Sequence, residues 1–173
     1  VCYGEAKSSG SCDYESTLYA TLTLVELGEN GLGLNEIGTN IYLQSKLKIT
    51  NFKDLAVLNR ILYKSSNVGQ SFVNELASKQ RAGGDWEGDV FTTALSIFGL
   101  LGNGEKTDIV NRGVAYLERR KNTKDGSWDN SARNTAMALI ALHGVDLANA
   151  NVGRSSINTK GRTASGFEDC NNK

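Results

Sequence analysis

The sequence predicts an all-α fold: a partial or small α/α toroid in which inner and outer helices alternate over about four repeats of 36–42 residues. Three observations carry this. The chain aligns on itself without gaps over its fullest copies. Those copies are punctuated as helices, with a capping side chain before and a glycine after. And none of the 173 residues is proline, which loops in β-rich proteins commonly supply.

The self-alignment is clearest between Gly83–Gly102 (GGDWEGDVFTTALSIFGLLG) and Asp125–Gly144 (DGSWDNSARNTAMALIALHG). At an offset of 42, Gly84 falls on Gly126, Trp86 on Trp128, Thr93 on Thr135 and Gly102 on Gly144. Ser9–Gly28 aligns with the first of these at an offset of 74, placing Gly28 on Gly102 and Cys12 in the tryptophan column. A fourth copy, NFKDLAVLNRILYKSS, lies between and keeps the alanine column, which then runs Ala20, Ala56, Ala94, Ala136 in steps of 36, 38 and 42. Repeats of this period are stacked or ringed helix pairs.

Taken in chain order, each copy opens an inner helix and is followed by an outer one. The first inner helix ends at Gly28, and Ile37, Ile41 and Leu47 mark an amphipathic segment after it. The stretch GLGLNEIG between them follows a helix, not a strand, and reads as a loop. After the second copy, Val73, Leu76 and Ala77 give another apolar face. The third copy has Asp89 as an N-cap. Its Leu95, Ile97, Phe98, Leu100 and Leu101 leave no polar side, as expected of a fully buried helix. Val110, Val114 and Leu117 then form a stripe flanked by Arg112, Glu118 and Arg119–Lys121. The fourth copy has Ser131 as its cap and Met137, Leu139, Ile140 and Leu142 around the helix. Gly28, Gly102 and Gly144 are expected at the residue after each inner helix, where the left-handed region favours glycine. The domain is expected over residues 1–146, with a coil-like tail over 147–173 rich in Asn, Ser, Gly and Thr.

Composition removes several functions. Lys+Arg and Asp+Glu both number 19, giving zero net charge and no basis for a broad grip on nucleic acid. No apolar run reaches the ~20 residues of a membrane span. The chain starts at Val1 without a signal-peptide pattern and reads as a processed or trimmed product. Cys2, Cys12 and Cys170 lie near the two ends. They lack metal-site spacing and leave the disulfide pairing open; with the polar ends they point to an extracellular or cell-surface setting.

The junctions between outer and inner helices resemble the QW repeat of squalene and other triterpene cyclases, in which a basic residue and Gly, an aromatic–aliphatic pair, Gln and Gly-x-Trp follow in order. Arg112–Gly113, Tyr116–Leu117 and Gly126–Ser127–Trp128 match, with Lys121 where Gln is expected but one residue too far from the Gly; Gln80, Gly84 and Trp86 match in the earlier copy, where Leu76 fits the aliphatic place and Glu75 misses the aromatic. The resemblance covers residues ~9–146 at the level of the terpenoid cyclase and protein prenyltransferase superfamily, whose relatives include thioester domains and cobalamin carriers. It implies structural roles for Gln80, Gly84, Trp86, Gly126 and Trp128.

The chemistries of those relatives are not matched here. A DxDD acid would fall at Asp89, but Phe91 and Thr92 replace its two further carboxylates. Zinc ligands would have to come from Cys12, Asp13 and His143, which belong to opposite helix ends. The stretch VCYGEA has Cys2, Gly4 and Glu5 but Ala6 where a thioester needs an acyl partner. The column after the tryptophan is acidic in three copies, Asp13, Glu87 and Asp129. A ring of carboxylates would suit a cation, whereas complementing helix dipoles is the plainer role. No catalytic residue, cofactor or committed metal site is therefore expected. Four inner and three outer helices fall short of a closed ring, so apolar faces are expected to stay open. Pairing of two chains, capping by neighbouring domains, or a tail anchored through Phe167 or Cys170 would close them. The expected function is a non-catalytic helical-repeat module, secreted or surface-exposed, that associates with another copy or a neighbouring domain. The alternatives are a fragment of a cyclase- or prenyltransferase-like enzyme, and a carrier holding a hydrophobic or cofactor-like ligand in the concave face.

Overall fold

A computed structural model describes residues 13–27, 36–48, 50–65, 70–102 and 106–154, with backbone alone at 36–38, 70–71 and 146–154. The described residues form seven helices: α1 (Tyr14–Glu26), α2 (Glu36–Lys46), α3 (Phe52–Lys64), α4 (Gln70–Ser78), α5 (Val90–Leu100), α6 (Thr107–Arg120) and α7 (Ala132–Arg154). An isolated antiparallel bridge joins Lys121 to Trp128, and no strand occurs among the described residues. Cys2, Cys12, Cys170, Gly28 and Phe167 lie outside them.

The helices start where capping chemistry dictates. Asn51 Oδ1 accepts from Lys53 N and Asp54 N at 3.2 and 3.3 Å. Asp89 Oδ2 accepts from Thr92 N at 2.7 Å, and Ser131 Oγ from Asn134 N at 3.3 Å. Asn51, Asp89 and Ser131 occupy one column of the repeat, and each satisfies a donor that the first turn leaves without an intrahelical partner. In the first copy Asp13 does this for Ser16 N at 2.7 Å, so the cap sits two residues earlier.

The odd-numbered helices pack side by side in chain order, α1 on α3, α3 on α5, and α5 on α7. Each even-numbered helix leans on the odd helix before it, most extensively α6 on α5. One hydrophobic cluster runs through the whole, with Leu18, Leu55, Leu58, Leu76, Trp86 and Ile97 among its buried members. Close approaches are made by small residues. A Cβ on Gly99 would lie 2.9 Å from the Ala56 carbonyl carbon, so α5 crosses α3 backbone to backbone. A Cβ on Gly113 would lie 2.9 Å from Ile97 Cγ1, so α6 sits equally tightly on α5.

Several expectations are corrected. Gly144 does not follow a helix: α7 runs through it to Arg154. Its missing side chain makes room for Leu101, just after α5, instead of opening the left-handed region, so the coil expected from residue 147 begins no earlier than 155. His143 is accordingly an exposed residue within the helix, not one at its end. Gly102 does have φ 93°, as the end of α5 requires. Glu36–Gly38 of the glycine-rich stretch are helical. In α2 the buried line is Thr39 and Leu43. Ile41, two residues from Leu43 and about 200° around the helix, is 62% exposed.

Candidate binding face at the end of the helical array

The two turns that precede α5 and α7 are built from the same parts. Trp86 and Trp128 are fully buried, and their indole N–H groups donate to the carbonyls of Leu76 and Leu117 at 2.8 and 2.7 Å. Those carbonyls lie near the ends of α4 and α6, so each ring ties an even-numbered helix to the odd-numbered helix that follows it. Behind each ring, the backbone N–H of Trp86 donates to Thr93 Oγ1 at 3.1 Å and that of Trp128 to Thr135 Oγ1 at 3.0 Å. The backbone repeats too: Gly84 and Gly126 have φ 88° and 75°, Glu87 and Asp129 have 61° and 51°, Gly88 and Asn130 have 72° and 50°. The alignment of the two copies in sequence is therefore an alignment of backbone conformation.

Gln80 holds the first turn. Its Nε2 donates to the carbonyls of Gly84 at 2.9 Å and Ile109 at 2.8 Å, and its Oε1 accepts from Arg112 Nε at 2.9 Å. In the second turn Lys121 takes this place, with Nζ 5.4 Å from the centre of the Trp128 ring. An ammonium donates but cannot accept, so it cannot reproduce the two-way bonding of an amide; the attraction of cation for ring face replaces it.

The acidic column has three different local uses. Asp13 caps α1; the Ser16 hydroxyl and amide hold its carboxyl below the usual carboxylate range. Glu87 accepts from Thr92 Oγ1 at 3.3 Å. Asp129 pairs with Arg120 at 2.8 Å and accepts from Asn134 Nδ2 at 3.1 Å. Among the described residues no three side chains of Asp, Glu, His or Cys gather as a metal site would require.

The two turns differ in what covers them. Helix α6 lies across the first: Arg119 Nη2 donates to the Gly83 carbonyl at 2.8 Å, Tyr116 Oη donates to the Gly88 carbonyl at 2.9 Å, and a Cβ on Gly84 would lie 2.9 Å from the Arg112 carbonyl carbon. Over the second turn, a Cβ on Gly126 would meet nothing among the described residues nearer than Lys121 Cε at 3.8 Å. The corresponding surface is an open groove of about 540 Å³ bounded by Asp125, Asn130, Ser131, Thr135 and Leu139. Leu139 is 53% exposed and Ile140 51%, whereas Ile97, in Leu139's column, is wholly buried. A helix apolar all round was expected to be wrapped on all sides. Helix α5 nearly is, with only Phe91 and Phe98 partly exposed; α7 buries Ala138, Ala141 and Val145 against α5 and leaves its far side exposed.

A second polar feature lies across the odd helices and was not anticipated. Arg60 of α3 pairs with Glu26 of α1, donates to the Leu101 carbonyl after α5 at 3.4 Å, and stacks 4.6 Å from the centre of the Phe98 ring. Nothing in local sequence pattern links residues 26, 60 and 98; three helices have to be packed first.

No protein-family model matches the chain, and no curated protein and no solved structure matches it either.

Proposed function

We propose that this chain is a non-catalytic helical-repeat module, an arc of an α/α toroid, that is secreted or surface-exposed and works by associating through the open edge of α7. One observation carries the reading. Two turns of the same sequence pattern and backbone conformation stand in successive repeats; α6 covers the first, while among the described residues nothing covers the second, where Leu139 and Ile140 are exposed. An apolar edge rimmed by polar groups is the usual mark of a protein interface.

The test is the accessibility of that edge in the intact chain. Leu139→Cys is labelled with a bulky maleimide, against the background of the native cysteines, while light scattering gives the mass with and without reductant. Two results support the reading: rapid labelling of a folded monomer, or protection within an assembly heavier than 18.6 kDa that is lost on dilution to monomer. Slow labelling of a folded monomer overturns it, because the chain would then close its own edge.

A further inference from the structure

We infer that Arg133 and Lys53, which reach the ring of Phe91 from the helices on either side of α5, form a seat for one carboxylate group. This stands apart from the association proposed for the edge at Leu139 and gives a ligand chemistry to a different part of the array.

The molecule shows elsewhere how it holds a carboxylate. Arg60 of α3 stacks 4.6 Å from the centre of the Phe98 ring. Its Nε and Nη2 donate to the two carboxylate oxygens of Glu26, and Lys64 Nζ lies 3.5 Å from the same carboxylate. The set is a guanidinium on a ring face, a carboxylate in its fork and an ammonium beside them. Stacking occupies the flat face of a guanidinium and leaves its N–H edge open, the edge that matches a carboxylate with two parallel bonds.

The two cations and the ring recur nearer the helix starts. At the repeat offsets of 38 and 42, Lys53, Phe91 and Arg133 share one column, and Arg60, Phe98 and Ile140 share another. The columns are seven residues apart, about two turns, so they lie on one stripe of each helix. The Arg133 guanidinium carbon is 3.8 Å from the centre of the Phe91 ring, closer than Arg60 is to Phe98, and Lys53 Nζ is 5.9 Å from it. The two charges are therefore at most about 10 Å apart, near enough for their fields to overlap. Yet neither side chain makes an ion pair or a hydrogen bond among the described residues. Glu15 and Asp54 stand in the same neighbourhood. With Arg133 they act on the Tyr19 hydroxyl, whose pKa is raised chiefly by burial, but neither pairs with Arg133. They repel a doubly charged anion more than a singly charged one, which selects a carboxylate over phosphate or sulfate.

The experiment follows the Arg133 Nε–Hε signal of the full, isotope-labelled chain by NMR, assigned through its loss in Arg133→Lys. Sodium acetate replaces sodium chloride at constant ionic strength. The expected result is a saturable shift of the Arg133 signal, while that of Arg60, already held by Glu26, does not move. Lys53→Gln should then weaken acetate binding roughly two- to fivefold, the effect of one exposed charge. If a carboxylate of the chain itself takes the seat, the Arg133 signal is shifted before acetate is added. It then returns to the solvent-exposed position as pH falls through about 5 to 3 with the backbone amides still dispersed; this supports the seat and identifies the source of its occupant. An Arg133 signal that keeps the solvent-exposed position over that pH range and does not respond to acetate overturns the inference and leaves the association reading standing.

Discussion

At the turn before α5, the Thr93 hydroxyl accepts the Trp86 backbone N–H while both residues are buried. Thr93→Val keeps the shape and strands that donor, so a loss of about 1–3 kcal/mol is expected in urea melts. Thr135→Val, at a partly exposed site, should fall at the lower end; equal, negligible losses at both would remove the hydroxyls from the account. Asp54 behaves oppositely to a stabilising carboxylate. Burial and the neighbouring charge of Glu15 raise its pKa from the ordinary 3.8, so the fold favours its protonated form. Its contribution is fully present below the unfolded-state value and is lost as pH rises through the folded value. Asp54→Asn should therefore raise the melting midpoint at pH 7, with the gain closing as pH falls towards 4; a gain that persists unchanged at low pH would assign the effect to something other than charge. These capping and bonding roles were partly legible, since Asp89 and Ser131 announce themselves by type and position. The environment of Asp54 was not, because it depends on α1 lying beside α3.

Glycines separate the helices into those that touch closely and those that have room. Gly99 faces the Ala56 carbonyl, a backbone group that can move only with all of α3. Gly99→Ala should cost about 1–3 kcal/mol through overpacking, although alanine is intrinsically the better helix former by about 1 kcal/mol. Gly144 faces only the Cδ1 end of Leu101, which can rotate away. Gly144→Ala should thus be neutral or stabilising in a thermal melt, and a loss as large as that of Gly99→Ala would mean the α5–α7 contact is as unyielding as α3–α5. In sequence both glycines stand in apolar runs near a helix end and look alike. What distinguishes them is whether the neighbour across the interface is backbone or a flexible side chain.

For the whole array, position along the chain decides how a repeated residue is treated. Ile97 and Leu139 share a column, yet one is enclosed by α6 and the other half exposed. Ile97→Glu should cost at least about 4 kcal/mol or prevent folding, since a carboxylate would be buried without a partner. Leu139→Glu should change stability by no more than ~0.5 kcal/mol. Circular dichroism melts of the two variants measure the difference directly. If Leu139→Glu proved as damaging, the edge of α7 would be covered in solution and would not be the open edge proposed for association.

The sequence by itself determined the all-helical character, the alternation of apolar and amphipathic helices and the caps of α5 and α7, because spacing and side-chain type act within a few residues of chain. It also marked the tryptophan turns, whose repeated Gly, Trp and Thr reappear as repeated dihedral angles and hydrogen bonds. Only the tertiary structure decided that α7 continues past Gly144, that Arg60 joins three helices, and that the acidic column serves three separate local purposes among the described residues. It alone decided which of two matching helices is enclosed. An apolar side chain carries the same preference for burial wherever it stands, but whether a neighbour arrives to satisfy it depends on the order in which the helices stack.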